Sequence, residues 1–209
     1  VITRHPPEDW LLAHAAGTLD EARDLLVAVH LLSCPQCRGL VAEAETLGGA
    51  ALGASTPSDP APDGLEQLLA RLDAEPPVVE APRSPPGRPG MPALVAPWAD
   101  GTWSWLAPGT WGIDLPHATD GELPLRLIWM RAGTKLPHRH RGDEAAIVLS
   151  GGWTDQYGHV GPGDLHVTTD RDQHDQVIDR GEPCVALVLA ERKTEAPWQW
   201  RWLSPLFRT

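Results

Sequence analysis

Cysteine is scarce in this chain, with three in 209 residues, too few for the disulfide framework that staples small extracellular domains. No apolar run approaches the roughly 18 residues of a membrane-spanning helix. The first residues, VITRHPPEDW, lack the apolar core of a secretory signal. Together these absences set the expectation of a cytoplasmic protein. Basic charge is short in the first part, where residues 1–75 hold 12 acidic and 4 basic side chains, against 16 and 13 in residues 76–209. Such a surface repels nucleic acid and favours a basic partner.

Apolar content of 42% and ten tryptophans exclude a chain disordered throughout. Half of the 22 prolines fall between Pro57 and Pro97, so two folded parts are expected to flank that stretch. The division expected is a helical domain over residues 1–75, a proline-rich linker over 76–97 and an all-β domain over 98–209.

Residues 8–16 read as a short helix closed by Gly17, where glycine takes the left-handed conformation that ends helices. Thr18-Leu19-Asp20-Glu21 has the form of a capping box. The following helix, to about Leu32, carries an apolar stripe of Leu25, Leu26, Val29 and Leu32. Ser33-Cys34-Pro35 starts a third helix, to about Leu52, with proline tolerated in its first turn. Residues 63–75 form a fourth, with Leu65, Leu68, Leu69 and Leu72 on one face. That stripe either docks on the first domain or lies on a partner.

From Trp98 onward the runs LRLIWMR, AAIVLSGGW, LHVTT, CVALVLA and WQWRWL read as strands of a sandwich or barrel. Trp103 and Trp105, and Trp198, Trp200 and Trp202, alternate with period two. They are expected to fill the barrel or to seal a sheet-to-sheet contact.

His30-x3-Cys34-x2-Cys37 spans the corner between the second and third helices. Thiolate sulfur and imidazole nitrogen are the usual ligands of structural zinc, which takes four in a tetrahedron. These residues supply three, and the fourth is His5, His14 or a water. A thioredoxin-type redox pair is disfavoured because no strand precedes the motif. So small a helical domain also needs a cross-link to hold its helices.

Gly133-x4-His138-x-His140-x3-Glu144-x6-Gly151 stands in the β-part. On a strand His138 and His140 point to one side, Glu144 adds a carboxylate, and His174, ten residues beyond Asp164, adds a third imidazole. Such a set suits Zn2+ or another divalent transition metal. His117, His159 and His166 lie outside the pattern and are expected at the surface or in support. Cys184 is the only cysteine of this part, so an oxidant response there acts through metal ligands, Cys184 alone or a bond to another chain or domain.

The short first helix, the His30-x3-Cys34-x2-Cys37 corner and the acidic helical bundle, over roughly residues 1–75, resemble the zinc-binding anti-sigma domain that inhibits extracytoplasmic-function sigma factors, and in that resemblance the upstream histidine maps onto His5. The second pattern resembles the cupin signature, departing from it in the x4 spacer and in Thr169-Asp170-Arg171 where Pro-x-Gly is usual. The order of the two is similar to the ChrR class of anti-sigma factors. The resemblance implies a two-domain α + β protein: a zinc-binding helical bundle that holds a sigma factor, and a cupin barrel that senses singlet oxygen or organic peroxide in an oxidative stress response. It implies a zinc site of His5, His30, Cys34 and Cys37 and a cupin metal site of His138, His140, Glu144 and His174. It implies a regulator rather than an enzyme, without direct contact to nucleic acid or membrane, and leaves room for a homodimer through the cupin domain. The alternative is a metal-dependent cupin enzyme, of dioxygenase or isomerase type, with a helical appendage.

Overall fold

The computed structural model describes residues 1–74, 95, 102–115, 125–139, 142–169 and 171–190, with only the backbone described for 73, 74, 137–139 and 173. The linker other than Val95, the Trp198 set, His117 and His140 lie outside the described residues.

The first 74 residues contain α1 (Glu8–Ala15), α2 (Glu21–Ser33), α3 (Pro35–Gly53) and α4 (Gly64–Ala74). At the end of α1, Gly17 has φ +64, its N–H donates to the His14 carbonyl, and the Thr18 N–H donates to Ala13. This is the paired closure expected of a helix-ending glycine. The capping box centred on Thr18 does not form. Asp20 caps α2 by accepting the Arg23 N–H, while the Thr18 hydroxyl donates back to Ala13. A carboxylate two residues nearer the helix is the stronger acceptor for its dipole. At the next corner Cys34 ends α2 and caps α3, with Pro35 in the first turn.

The β-part is a pair of facing sheets. One has the order β1 (Ser104–Ala107), β2 (Thr110–Leu115), β3 (Leu125–Met130), β10 (Cys184–Ala190), β5 (Glu144–Ser150), β8 (Leu165–Thr168). The other has the order β4 (Lys135–Arg139), β9 (Gln173–Ile178), β6 (Trp153–Asp155), β7 (Gly158–Val160). All the described pairings are antiparallel. Between the sheets lie Met130, Ala146, Val148, Trp153, Val160, Ile178, Cys184 and Ala186.

The opposite face of the six-stranded sheet is buried as well. Ala22, Leu26 and Val29 of α2 pack with Leu115, Leu125, Leu127, Ala145, Ile147, Leu165, Leu187, Leu189 and Val95. Both faces of β5 and β10 are therefore covered, which is why AAIVLS and CVALVLA read as near-continuous apolar runs rather than as alternation. Trp103 and Trp105 differ from expectation. Trp105 pairs with Trp111, and Trp111 with Trp129, a row whose register sets it on the Leu127 face of the sheet, outside the barrel interior. Trp103 packs against the same helix–sheet core.

Among the described residues the α4 stripe joins no buried core. Leu65, Leu68, Leu69 and Leu72 are each more than half exposed, so docking on the first domain is not what the structure contains. Among the described residues no single helix is long and apolar enough to cross a membrane, and α2 with α3 approaches that length only as a pair bent by 118°.

Because Leu26 is fully buried between the helices and the sheet, Leu26→Ala is expected to cost about 2–5 kcal/mol. Urea unfolding followed by helical circular dichroism and by tryptophan fluorescence should give two coincident, shifted transitions. A shift confined to the helical signal would show that the two halves do not share this core.

Candidate metal centres

The helix corner brings four side chains together. His5 Nδ1 lies 3.4 Å from Cys34 Sγ and 3.3 Å from Cys37 Sγ, and His30 Nε2 lies 3.3 Å from Cys37 Sγ. The His5 and His30 rings meet edge to face at 5.5 Å. A zinc tetrahedron with Zn–S near 2.3 Å and Zn–N near 2.0–2.1 Å has S···N edges of about 3.6 Å, so this spacing fits one. His14 is elsewhere, its Nδ1 2.6 Å from Asp24 Oδ1. Burial pushes the Cys37 thiol up to about 12, with Cys34 adding to the effect. Two thiolates side by side in a buried corner need a cation, a charge that zinc would supply.

His30 is fully buried. Burial lowers its pKa, against the Gly163 hydrogen bond, which keeps the ring neutral as a ligand must be. Its Nδ1 lies 2.8 Å from the Gly163 carbonyl. A carbonyl only accepts, so Nδ1 carries the proton and Nε2 turns its lone pair toward the thiols.

The turn holding Gly163 belongs to the barrel, between β7 and β8. Asp164 in that turn accepts the N–H groups of Thr3 at 2.6 Å, Arg4 at 2.9 Å and Gly161 at 2.8 Å. The Leu165 N–H donates to the Arg4 carbonyl, and Arg4 Nη2 donates to the Tyr157 carbonyl at 2.8 Å. His5 thus leaves a segment pinned to the barrel. Gly163 has φ +87, and a Cβ there would meet Ile2 at 2.9 Å, so both its conformation and its closeness to the N-terminal segment require glycine.

A second group lies between the sheets, where Asp155, His166 and His174 bring their ligand atoms within 4.8 Å of one another. His174 Nδ1 donates to Asp155 Oδ2 at 2.8 Å, both side chains fully buried. Burial works to raise the Asp155 pKa, but His174 and the Tyr157 N–H hold it below its ordinary value. His166 is held down to about 4, by burial first and then by Arg4, against Asp155 and Glu144. Its Nε2 is buried and has no hydrogen-bond partner among the described residues. Two imidazoles and a carboxylate form a donor set that fits a divalent transition metal.

Of the four ligands expected in the barrel, His174 belongs to this group. The backbone of His138 pairs directly with His174, but its side chain and all of His140 lie outside the described residues. Glu144 begins β5, opposite Thr168, and is not in the group. His166, expected at the surface or in support, is buried within the group and not at the surface, and Asp155 was not among the expected ligands. The available signal was strand parity: if Leu165 faces the helices, His166 faces the interior. His159 is half exposed and paired with Asp179. Cys184 is fully buried, and burial pushes its thiol up, the reverse of a reactive thiolate.

No family model matches the chain. It is 32% identical to the anti-sigma-E factor ChrR of Cereibacter sphaeroides, over 99% of both chains. In the crystal structure of Rhodobacter sphaeroides SigE in complex with the anti-sigma ChrR, the matching chain is 31% identical, covers 91% of this chain and 100% of its own, and superposes with a TM-score of 0.75. KdgF from Halomonas sp. is 22% identical over 44% of this chain and 88% of its own, with a TM-score of 0.38.

Two outcomes follow for the helix corner. Cys34→Ser and Cys37→Ser should each lose the zinc of the helical half by metal analysis, and full retention in both would place the ligands elsewhere. Burial works to raise the Asp164 pKa, but the three backbone N–H groups hold it below 3.8. Its contribution to stability is therefore complete above the unfolded value and is lost as pH falls through the folded one. Asp164→Ala should cost about 1–3 kcal/mol at neutral pH, flatten the acid limb of a stability–pH curve measured in urea, and loosen zinc through His5.

Proposed function

The chain belongs to the ChrR family of anti-sigma factors, and on that footing we propose that its helical half sequesters an extracytoplasmic-function sigma factor until the barrel meets an oxidant. The observation that carries this reading is the match over nearly the whole of both chains, joined to a His5, His30, Cys34 and Cys37 cluster of zinc geometry. In this reading residues 1–75 form the sigma-binding domain, 76–97 the linker and 98–209 the cupin. The protein acts by occupying its partner's surface, so it needs neither turnover nor nucleic acid.

The surface of the helical half supports a protein partner. Leu12, Leu47 and Leu52 are exposed on α1 and α3, and the four leucines of α4 stand on one exposed face. An amphipathic helix with no core of its own suits a partner's groove. The acidic charge of residues 1–75 suits a basic one.

For release, the barrel metal held by His138, His140, Glu144 and His174 is the sensing point for singlet oxygen or organic peroxide. When bound, a divalent transition metal supplies a reactive centre and a fixed geometry for its ligands. The signal has a shorter route than the linker. His166 on β8 follows directly on the Gly163–Leu165 turn, which holds His30 and the segment leading to His5. A displaced β8 would loosen the zinc corner through those hydrogen bonds.

Co-expression of the full chain with extracytoplasmic-function sigma factors should give a stable complex with at least one of them. Leu68→Glu with Leu72→Glu should weaken that complex about tenfold or more, about 1.4 kcal/mol, without altering the circular dichroism. His174→Ala or Glu144→Ala should leave inhibition intact at rest and blunt induction by singlet oxygen or peroxide. Normal induction from a barrel shown to be free of metal would exclude the sensing role, and failure to bind any sigma factor would exclude the whole reading.

A further inference from the structure

We propose that His166 is a ligand of the barrel metal through Nε2, and that Asp155 positions His174 for the same ion. This rests on the reading of the barrel as metal-binding, and adds to it two residues that the cupin pattern does not contain.

The register places His166 first. On β8 the side chain of Leu165 joins the helix–sheet core, so the next residue faces the barrel interior. Its cross-strand neighbour is Ala146, which lies in the inter-sheet core with Val148, Trp153 and Ile178. The small alanine leaves the imidazole room to reach across. The ring stands 5.8 Å from that of His174 on the facing sheet, inclined by 35°, and 6.4 Å from that of Trp153.

An imidazole in such a place is costly unless its nitrogens are used. A buried polar atom without a partner costs about 1–3 kcal/mol, and an aliphatic side chain would fill the same space without that cost. His166 Nε2 is buried with no partner among the described residues, and the residue groups with Asp155 and His174, one potential ligand atom of each within 4.8 Å of the others. A borderline divalent cation is the ligand that an imidazole lone pair takes in an apolar cavity.

Asp155 has the other role. Its Oδ2 accepts the His174 Nδ1–H at 2.8 Å, and its Oδ1 accepts the Tyr157 N–H at 2.8 Å. A carboxylate held from one side and accepting from the ring on the other fixes the tautomer, leaving His174 Nε2 as the donor atom for a metal. His166 and His174 then approach one ion from opposite sheets, which ties β8 to β9 across the barrel.

The test uses the full chain, stripped of metal with a chelator and reloaded with Co2+. Cobalt at the cysteine corner announces itself by thiolate charge-transfer absorption, and cobalt in the barrel by d–d bands without it. Wild type should load both sites. His166→Gln and His166→Ala should keep the charge-transfer band, weaken the barrel cobalt by about tenfold or more and change its d–d spectrum. His159→Gln, at an exposed histidine, should do neither. Asp155→Asn should weaken barrel cobalt while leaving His166 bound. In wild type labelled with 15N-histidine, Zn2+ should move the His166 Nε2 resonance to a metal-bound position, a readout that does not depend on any variant folding. If wild type loads the corner alone, the metal reading of the barrel fails and this inference with it. If wild type loads both and the His166 variants bind barrel cobalt with unchanged affinity and spectrum, or the Nε2 resonance stays put, His166 is no ligand although the metal reading stands.

Discussion

One imidazole joins the two halves of this protein. A neutral histidine has one N–H to give and one lone pair to offer, and His30 spends the first on the barrel and the second on the zinc corner. The Gly163 carbonyl, 2.8 Å from Nδ1, fixes the tautomer, so the barrel decides which nitrogen faces Cys37. The corner in turn holds α2 at the angle at which Leu26 and Val29 meet the sheet. Each half thus fixes part of the other's arrangement.

The helix that carries His30 is apolar on two sides for this reason. Leu26 and Val29 face the sheet, whereas Val27 lies with Leu11, Cys34, Cys37 and Val41 in a second core. A two-faced helix makes a stiff connection, because packed cores shift between discrete arrangements rather than deforming smoothly. Asp164 adds polar hooks to the same junction, gathering the backbone of Thr3 and Arg4 just before His5. A change at β8 therefore meets the His5, His30, Cys34 and Cys37 corner within a few hydrogen bonds.

The helices, the strand content and the His30, Cys34 and Cys37 corner were legible because they depend on local rules. Period, capping and ligand spacing act over a few residues, and the closure at Gly17 and the double duty of Cys34 follow from them. The capping of α2 went astray by two residues because Thr18 and Asp20 are both competent caps, and the choice depended on where α1 released the chain. Trp103 and Trp105 were misplaced because period two says that residues share a face but not which face it is. His166 was passed over for the same reason.

The sequence by itself determined the classes of element, their order and the His30, Cys34 and Cys37 segment, since each is written in a short window of residues. Tertiary structure alone decided that α2 covers the outer face of the six-stranded sheet. It also decided that His5 rather than His14 reaches the thiols, and that His166 meets His174 and Asp155. Each is a contact between separate elements, set by where the chain returns in space rather than by any local pattern, and the first exists only when the burial of apolar surface has brought the two halves together.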